Sequence, residues 1–159
     1  MSDETFDRAL AREQITRLLL SYPEAVDRGD FAAVGRLFDG VRLSGGEPMT
    51  AEQFEALWRK VVLTYDDGLP CTKHVVTNID ITFDDGGRAA KSRAYYTVLQ
   101  ARPEFEPPIQ VIIAGTYHDV FQREGDGWRW TERSEQADLL GDLRYHVDAE
   151  TLEQLHAGH

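Results

Sequence analysis

The chain has 159 residues, of which 42% are hydrophobic, and a formal net charge of −11 from 28 acidic and 17 basic residues. This length and apolar content fit one domain with its own core, and the acidic balance disfavours nucleic acid and anionic membrane surfaces as partners. No apolar run approaches the roughly 18 residues that span a bilayer, and the first residues lack the basic and apolar regions of a signal peptide, so we expect a cytoplasmic protein. Cys71 is the only cysteine, which excludes an internal disulfide and a cysteine-based metal site.

The first half of the chain has the periodicity of amphipathic helices. The apolar residues that recur at the spacing of one helix face are Phe6, Leu10, Ile15, Leu18, Leu19, Tyr22 and Val26. Pro23 should kink or interrupt this helix because it removes a backbone donor, and Gly29 is a suitable C-cap. Asp30 can cap a short second helix, residues 45–48 should form a loop, and Thr50 begins a capping box for a third helix.

The second half of the chain changes to the composition of strands. The segment Thr72–Phe83 is rich in Val, Ile and Thr, which favour a pleated strand. Further strands are predicted over 88–102, 109–123 and 128–139, with glycine-rich turns or prolines between them. Helices followed by an antiparallel meander indicate an α+β fold rather than a parallel sheet with crossover helices.

One face of each predicted strand is mainly apolar with a few polar or aromatic groups. Because side chains alternate along a strand, the pocket candidates on these faces are His74, Asn78, Tyr96, Gln100, Ile113 and Tyr117. The third helix adds Trp58 from its apolar face. Such a mixture is typical of a pocket for a small hydrophobic molecule.

His74 is the most informative single residue. A histidine in an apolar strand is more often a hydrogen-bonded structural residue than a catalytic one, but it can act as a general base near neutral pH. Asp27 can equally be a solvated helix cap, and Tyr22 a core residue. The other histidines have no metal-ligand spacing, so we expect no metal. The sequence also lacks a phosphate-binding loop and a nucleophile elbow.

Several short motifs together resemble a known family. They are Tyr22, Asp27-Arg28-Gly29-Asp30-Phe31, Thr72-Lys73-His74, Gly115-Thr116-Tyr117, Gly127-Trp128, Arg133 and Gly141-Asp142-Leu143. Their order resembles the SnoaL-like polyketide cyclases of the nuclear transport factor two superfamily, which includes scytalone dehydratase and ketosteroid isomerase. The resemblance spans about 8–146. It implies a cone-shaped fold in which a curved antiparallel sheet and N-terminal helices enclose an apolar pocket. It also implies a single SnoaL-like domain over 1–147, a tail over 148–159 that can be helical, and a homodimer.

The resemblance implies catalytic roles for His74, Asp27 and Tyr22, with substrate contacts from the other pocket candidates. The second acid or base of such dehydratases falls near Gln100, which cannot transfer a proton. The implied activity is that of a lyase or isomerase. Such an enzyme would carry out dehydration, isomerisation or cyclisation through an enolate of a polyketide-like or steroid-like carbonyl compound, without a cofactor.

Two other functions are open on the same fold, because one fold hosts many functions. One is a non-catalytic ligand-binding or oligomerisation domain. The other is an accessory subunit resembling the small subunit of ring-hydroxylating dioxygenases. A catalytic function requires that Asp27 and His74 touch inside a closed pocket, whereas a scaffold does not.

Overall fold

The computed structural model describes residues 7–158, in which four helices and six strands are present. The helices are α1 (Arg8–Asp27), α2 (Phe31–Leu37), α3 (Ala51–Val61) and α4 (Ala149–Ala157). The strands are β1 (Val41–Leu43), β2 (Pro48–Met49), β3 (Thr72–Phe83), β4 (Ala89–Ala101), β5 (Ile109–Glu124) and β6 (Gly127–Leu140). Phe6, predicted for the first helix face, lies outside the described residues. Within 7–158, no helix is both long and apolar enough to cross a bilayer.

The six strands form one curved sheet in the order β2-β1-β6-β5-β4-β3. Strands β3 to β6 pair antiparallel with their chain neighbours, so the predicted α+β meander is confirmed. Register shifts interrupt all three of these ladders, and such bulges bend a sheet. The helix α1 packs against β3 and β6, and α2 packs against α1 and α3, so that the core lies between the helices and the inner face of the sheet.

Two short strands were not predicted from the sequence. Pro48 belongs to β2, in the segment predicted as a loop, and β1 pairs in parallel with β6 through Arg42 with Glu132. The sheet is therefore not antiparallel throughout. Strands of two and three residues are too short to show an alternating pattern, so no periodic signal predicted them.

The helix α1 continues through Pro23 and ends at Asp27, so the predicted interruption is wrong. Pro23 lies in the buried stripe of α1, beside Tyr22 and Val26. We attribute the presence of Pro23 inside a continuous helix to this burial. The free energy gained by burying the ring offsets the one helical hydrogen bond that proline removes.

The end of α1 is set by Gly29, which adopts a positive φ of 65°. Its amide donates to Val26 O at 2.9 Å and the Asp30 amide donates to Ala25 O at 2.9 Å, the hydrogen bonds of a Schellman motif. A side chain at Gly29 would come within 2.3 Å of Gly68 O. Glycine therefore ends the helix directly after the turn that carries Asp27.

A buried ion pair lies within the aromatic part of the core. Arg133 donates to Asp119 through Nε at 2.7 Å and through Nη2 at 2.9 Å. The guanidinium lies 4.0 Å from the ring centroid of Tyr117 and 4.7 Å from that of Tyr22. The pair therefore joins β5 and β6 to α1 through stacked aromatic rings.

The convex outer face of the sheet carries exposed apolar side chains. Val75 is 44% exposed, Tyr95 42%, Val111 55% and Leu139 69%. These four side chains lie on four neighbouring strands, β3 to β6. The homodimer implied by the sequence resemblance stays a prediction.

Candidate active site

A cavity of about 580 Å³ lies between the inner face of the sheet and the helices α1, α3 and α4. Its apolar lining includes Val26, Trp58, Val98, Ile113, Leu143 and Leu155. Its polar lining includes Tyr22, His74, Glu135, His146, Thr151 and Gln154. This volume and mixture are in the range of small-molecule sites. The predicted tail contains α4, which supplies one wall of the cavity.

The side chains of Asp27 and His74 are in direct contact at the cavity wall. His74 Nδ1 lies 2.6 Å from Asp27 Oδ1, and the His74 backbone amide donates to Asp27 Oδ2 at 2.9 Å. Thr72 Oγ1 also donates to Oδ1, at 2.8 Å. The two side chains are 8% and 5% exposed, respectively. Three hydrogen bonds therefore hold a buried carboxylate in one orientation.

The backbone positions both members of this pair. Asp27 is the last residue of α1, directly before the Schellman turn, and His74 is the third residue of β3. The two elements pack against each other, which brings residues 47 apart in sequence into contact. The contact between Asp27 and His74 that a catalytic function requires is present.

The ionisation of Asp27 follows from its surroundings. Burial alone would raise the pKa of this carboxyl, but the hydrogen bonds and charge of His74, together with the hydrogen bond from Thr72, lower the pKa below its ordinary value. An ionised Asp27 is acceptor-only, so His74 carries its proton on Nδ1. The other ring nitrogen, Nε2, is left as a potential proton acceptor.

Tyr22 lines the same cavity from α1, five residues before Asp27. Burial raises the pKa of its phenol well above the ordinary value, so it stays protonated and can donate a hydrogen bond. Its ring makes an edge contact with Trp58 at 6.0 Å between centroids. Tyr22, His74, Trp58 and Ile113 are thus the predicted pocket residues that the structure brings together.

Tyr96 and Tyr117 do not line this cavity, in contrast to the sequence prediction. Their rings stack at 4.2 Å between centroids and are 1% exposed. They lie on the inner face of the sheet as expected, but Tyr22 of α1 covers Tyr117 at 6.2 Å between ring centroids. Alternation placed both tyrosines on the correct face of the sheet. The position of α1 over Tyr117 could not be predicted from the sequence.

Gln100 and Asn78 are also absent from the lining of the cavity. Gln100 is fully buried, and its amide donates to Pro70 O at 3.0 Å and to Tyr145 O at 2.8 Å. It therefore ties two loops to β4. Asn78 is exposed and has a positive φ of 53°, at the register shift between Thr77 and Asp80. This bulge breaks the alternation on which the prediction for Asn78 depended.

Sequence reasoning missed Glu135 and His146, which line the cavity. Glu135 lies opposite Tyr117 in the ladder of β5 and β6, two residues after Arg133. Alternation from Arg133 would have placed it on the inner face. His146 follows the last strand in a segment without periodicity, so no sequence signal indicated its position.

The cavity shifts the ionisation of both residues. Glu135 is exposed to the cavity, yet partial loss of solvation there raises the pKa of its carboxyl, against the opposing effects of Arg133, Tyr96 and His74. Burial also lowers the pKa of His146 to about 4, which leaves its imidazole neutral at pH 7. Among residues 7–158, no cluster of three or more side chains has the composition of a metal site.

Residues 7–134 match the SnoaL-like domain family. No curated protein matches the chain at a significant level. An NTF2-like protein with a cystatin-like fold from Novosphingobium aromaticivorans is 18% identical over 82% of this chain and 83% of its own, with a TM-score of 0.63. A candidate scytalone dehydratase from the same organism is 16% identical over 84% and 88%, with a TM-score of 0.64. LinA is 21% identical over 91% and 95%, with a TM-score of 0.65. At these identities the likeness shows the fold alone.

Proposed function

Because this chain belongs to the SnoaL-like domain family, we propose that it is a lyase or isomerase that enolises a hydrophobic carbonyl compound by acid/base chemistry, without a cofactor. The observation that carries this proposal is the contact between Asp27 and His74, 2.6 Å apart in the wall of an apolar cavity. A structural histidine does not need an oriented carboxylate behind it and a ligand-sized space in front of it. For a general base, the carboxylate orients the imidazole and the space admits the substrate.

In the proposed reaction, Nε2 of His74 takes a proton from the carbon next to the carbonyl group. The imidazolium that forms is stabilised by the ionised Asp27, which also fixes the tautomer and the ring orientation. The carbonyl oxygen becomes an enolate oxygen, and the protonated phenol of Tyr22 donates a hydrogen bond to it. Each of these groups is already positioned by α1 or β3.

The cavity favours a ring compound with little charge. Apolar side chains, among them Trp58 and Ile113, form the larger part of its lining beside several polar groups, and its volume of about 580 Å³ suits a ligand of drug-like size. A polyketide-like or steroid-like carbonyl compound meets both conditions. We propose such a small hydrophobic molecule as the natural partner of this site.

The exchange of substrate protons with deuterium tests this function before the substrate is known. Hydrophobic cyclic ketones are incubated with the protein in D₂O, and deuterium uptake at the α-carbon is followed by NMR. We expect exchange with the wild-type protein and a loss on the order of 10²–10⁴ in the exchange rate for His74→Gln, the usual scale of general-base catalysis.

His118→Gln is the matched control for this experiment, because His118 is exposed on β5 and does not line the cavity. It should exchange at the wild-type rate, and circular dichroism should show both variants folded. Full exchange in His74→Gln would contradict the proposal. A binding domain would take up the ketones without exchanging their protons.

A further inference from the structure

The segment after β6 supplies a part of the cavity wall that lies beyond the family match. The match ends at residue 134, whereas His146, Thr151 and Gln154 follow that residue and add polar groups to the lining of the cavity. The other lining residues of this segment carry no polar side chain. Membership of the family therefore does not imply what this part of the wall binds.

The backbone on both sides of His146 is held in place. The amide of His146 donates to Leu143 O at 2.9 Å, and the amide of Leu63 donates to His146 O at 2.8 Å. An isolated bridge joins Val147 to Val62, the C-cap of α3. The side chain of His146 thus extends from a fixed backbone, and the residue is only 8% exposed.

The imidazole of His146 has no hydrogen-bonding partner within residues 7–158. Its Nδ1 is enclosed by protein, whereas Nε2 is not. Because the residue lines the cavity, Nε2 is the nitrogen that a ligand can reach. Buried polar groups in proteins almost always have a partner, and a ligand in the cavity can supply the one that is missing at Nε2.

The enclosure of Nδ1 also determines which nitrogen carries the proton. Burial lowers the pKa of His146 to about 4, so at neutral pH the imidazole is uncharged and has a single N–H group. An enclosed N–H group without an acceptor is rarer in proteins than an enclosed acceptor without a donor. Nδ1 is therefore the unprotonated nitrogen, and Nε2 presents its N–H group to the cavity.

We propose that His146 is a specificity-determining residue that donates a hydrogen bond from Nε2 to a second oxygen of the substrate, apart from its reacting carbonyl oxygen. This inference rests on the proposed function, in which Tyr22 already serves the enolate oxygen. It narrows the substrate to ring compounds that carry a further acceptor oxygen. The charges of His74 and Asp27 both act on His146, so one ring compound can reach both imidazoles. A few placed polar groups of this kind fix the orientation of a ligand among apolar side chains.

The binding of matched ketones tests this inference without requiring turnover. The probes are tetralones that carry a methoxy group at one of three positions of the aromatic ring, each paired with the ethyl derivative at the same position. The two substituents have nearly the same shape, but only the methoxy group contains an acceptor oxygen. Isothermal titration calorimetry measures the dissociation constant of each compound.

We expect at least one methoxy compound to bind about tenfold more tightly than its ethyl partner, the scale of one hydrogen bond. His146→Phe keeps a ring in this place without either nitrogen, and both members of that pair should then bind equally. His156→Phe is the matched control, because His156 is exposed on α4 and does not line the cavity. It should keep the wild-type preference.

A measurement on the wild-type protein makes the test independent of whether His146→Phe folds. In proton–nitrogen correlation spectra of the histidine rings, the tighter-binding methoxy compound should shift the Nε2 resonance of His146, and its ethyl partner should shift this resonance much less. Equal binding within all three pairs, an equal shift with both partners, or an unchanged preference in His146→Phe would overturn the inference. Exchange of the α-protons of the same ketones in D₂O separates this result from the proposed function. Selective binding without exchange would remove that function and leave the role of His146.

Discussion

The inner face of the sheet holds two buried pairs of an acid and a base, and their surroundings differ. Asp119 and Arg133 are 0% and 2% exposed and are enclosed by aromatic rings. Asp27 and His74 are 8% and 5% exposed, yet His74 borders a cavity of about 580 Å³. The two pairs are therefore nearly equally buried, but only the pair of Asp27 and His74 borders a space that a ligand could occupy.

The difference shows which features separate a structural ion pair from a candidate catalytic pair. Arginine does not release its proton in proteins, so Arg133 can hold a charge but cannot transfer one. Its guanidinium instead lies against Tyr117 and Tyr22, and the latter ring forms part of the cavity wall. The pair of Asp119 and Arg133, here the closed pair, thereby supports the pair of Asp27 and His74, here the open pair, which borders the cavity. Burial alone does not mark a candidate functional site, whereas a titratable base beside a ligand-sized space does.

The largest effect is expected from breaking the closed pair. Arg133→Met leaves the carboxylate of Asp119 buried without its partner, which should lower the free energy of unfolding by about 3–5 kcal/mol. Unfolding in urea, followed by circular dichroism, measures the change. His74→Gln, which removes the base of the open pair, should change the unfolding free energy much less.

The double variant Asp119→Leu with Arg133→Met sharpens this contrast. Because it removes both charges together, it should recover most of the lost stability. If Arg133→Met alone unfolds at the wild-type urea concentration, the closed pair is not the structural element that its burial indicates.

The fold was largely predictable because most of its elements are marked by local sequence patterns that extend over many residues. The capping box at Thr50 and the four strands from Thr72 to Leu140 follow from residue types and alternation over many residues. The continuity of α1 through Pro23 did not follow, since it depends on tertiary burial that outweighs a local preference. The short strands β1 and β2 carry too few residues for any periodic signal.

The site was predictable only in part, because it depends on register and on which element covers which strand. The contact of Asp27 with His74 was expected from the family resemblance and not from spacing. The bulge beside Asn78 and the helix over Tyr117 are tertiary features that no local pattern encodes. The alternation of side chains along β6, followed from Arg133, does place Glu135 on the inner face.

A smaller effect is expected from weakening the open pair without removing its base. Asp27 accepts three hydrogen bonds, from Thr72 and from two donors of His74, and an asparagine would turn a donor toward one of them. His74 would then act in a poorly held tautomer. Partners that orient metal-bound histidines are worth about 10- to 100-fold, and we expect Asp27→Asn to reduce α-proton exchange on the same scale.

Asp80→Asn is the control for this variant, since Asp80 is exposed on the same strand as His74. It should leave exchange unchanged. A loss in Asp27→Asn as large as that in His74→Gln would mean that the carboxylate does more than orient the imidazole. No loss at all would make the contact structural, like that of Asp119 with Arg133.

The smallest effect concerns the dependence of stability on pH. It should arise from His146, which lines the cavity. The pKa of His146 is lowered from 6.5 to about 4 in the folded protein. As the pH falls from 7 to 5, the unfolded chain therefore binds this proton before the folded chain does, and stability is lost, by up to about 2 kcal/mol from this group. Glu135 acts in the opposite direction in this window, because its raised pKa makes the folded protein take up the proton first.

The wild-type dependence of stability on pH therefore contains two opposed contributions, and single variants separate them. His146→Gln should reduce the loss of stability between pH 7 and pH 5, since it removes the group that the unfolded chain protonates first. Glu135→Gln should increase that loss, since it removes the group that the folded chain protonates first. Urea midpoints measured at both pH values for the three proteins give the two differences. The same sign of change in both variants would contradict the assigned shifts. It would also place the pH response of this protein somewhere other than the cavity.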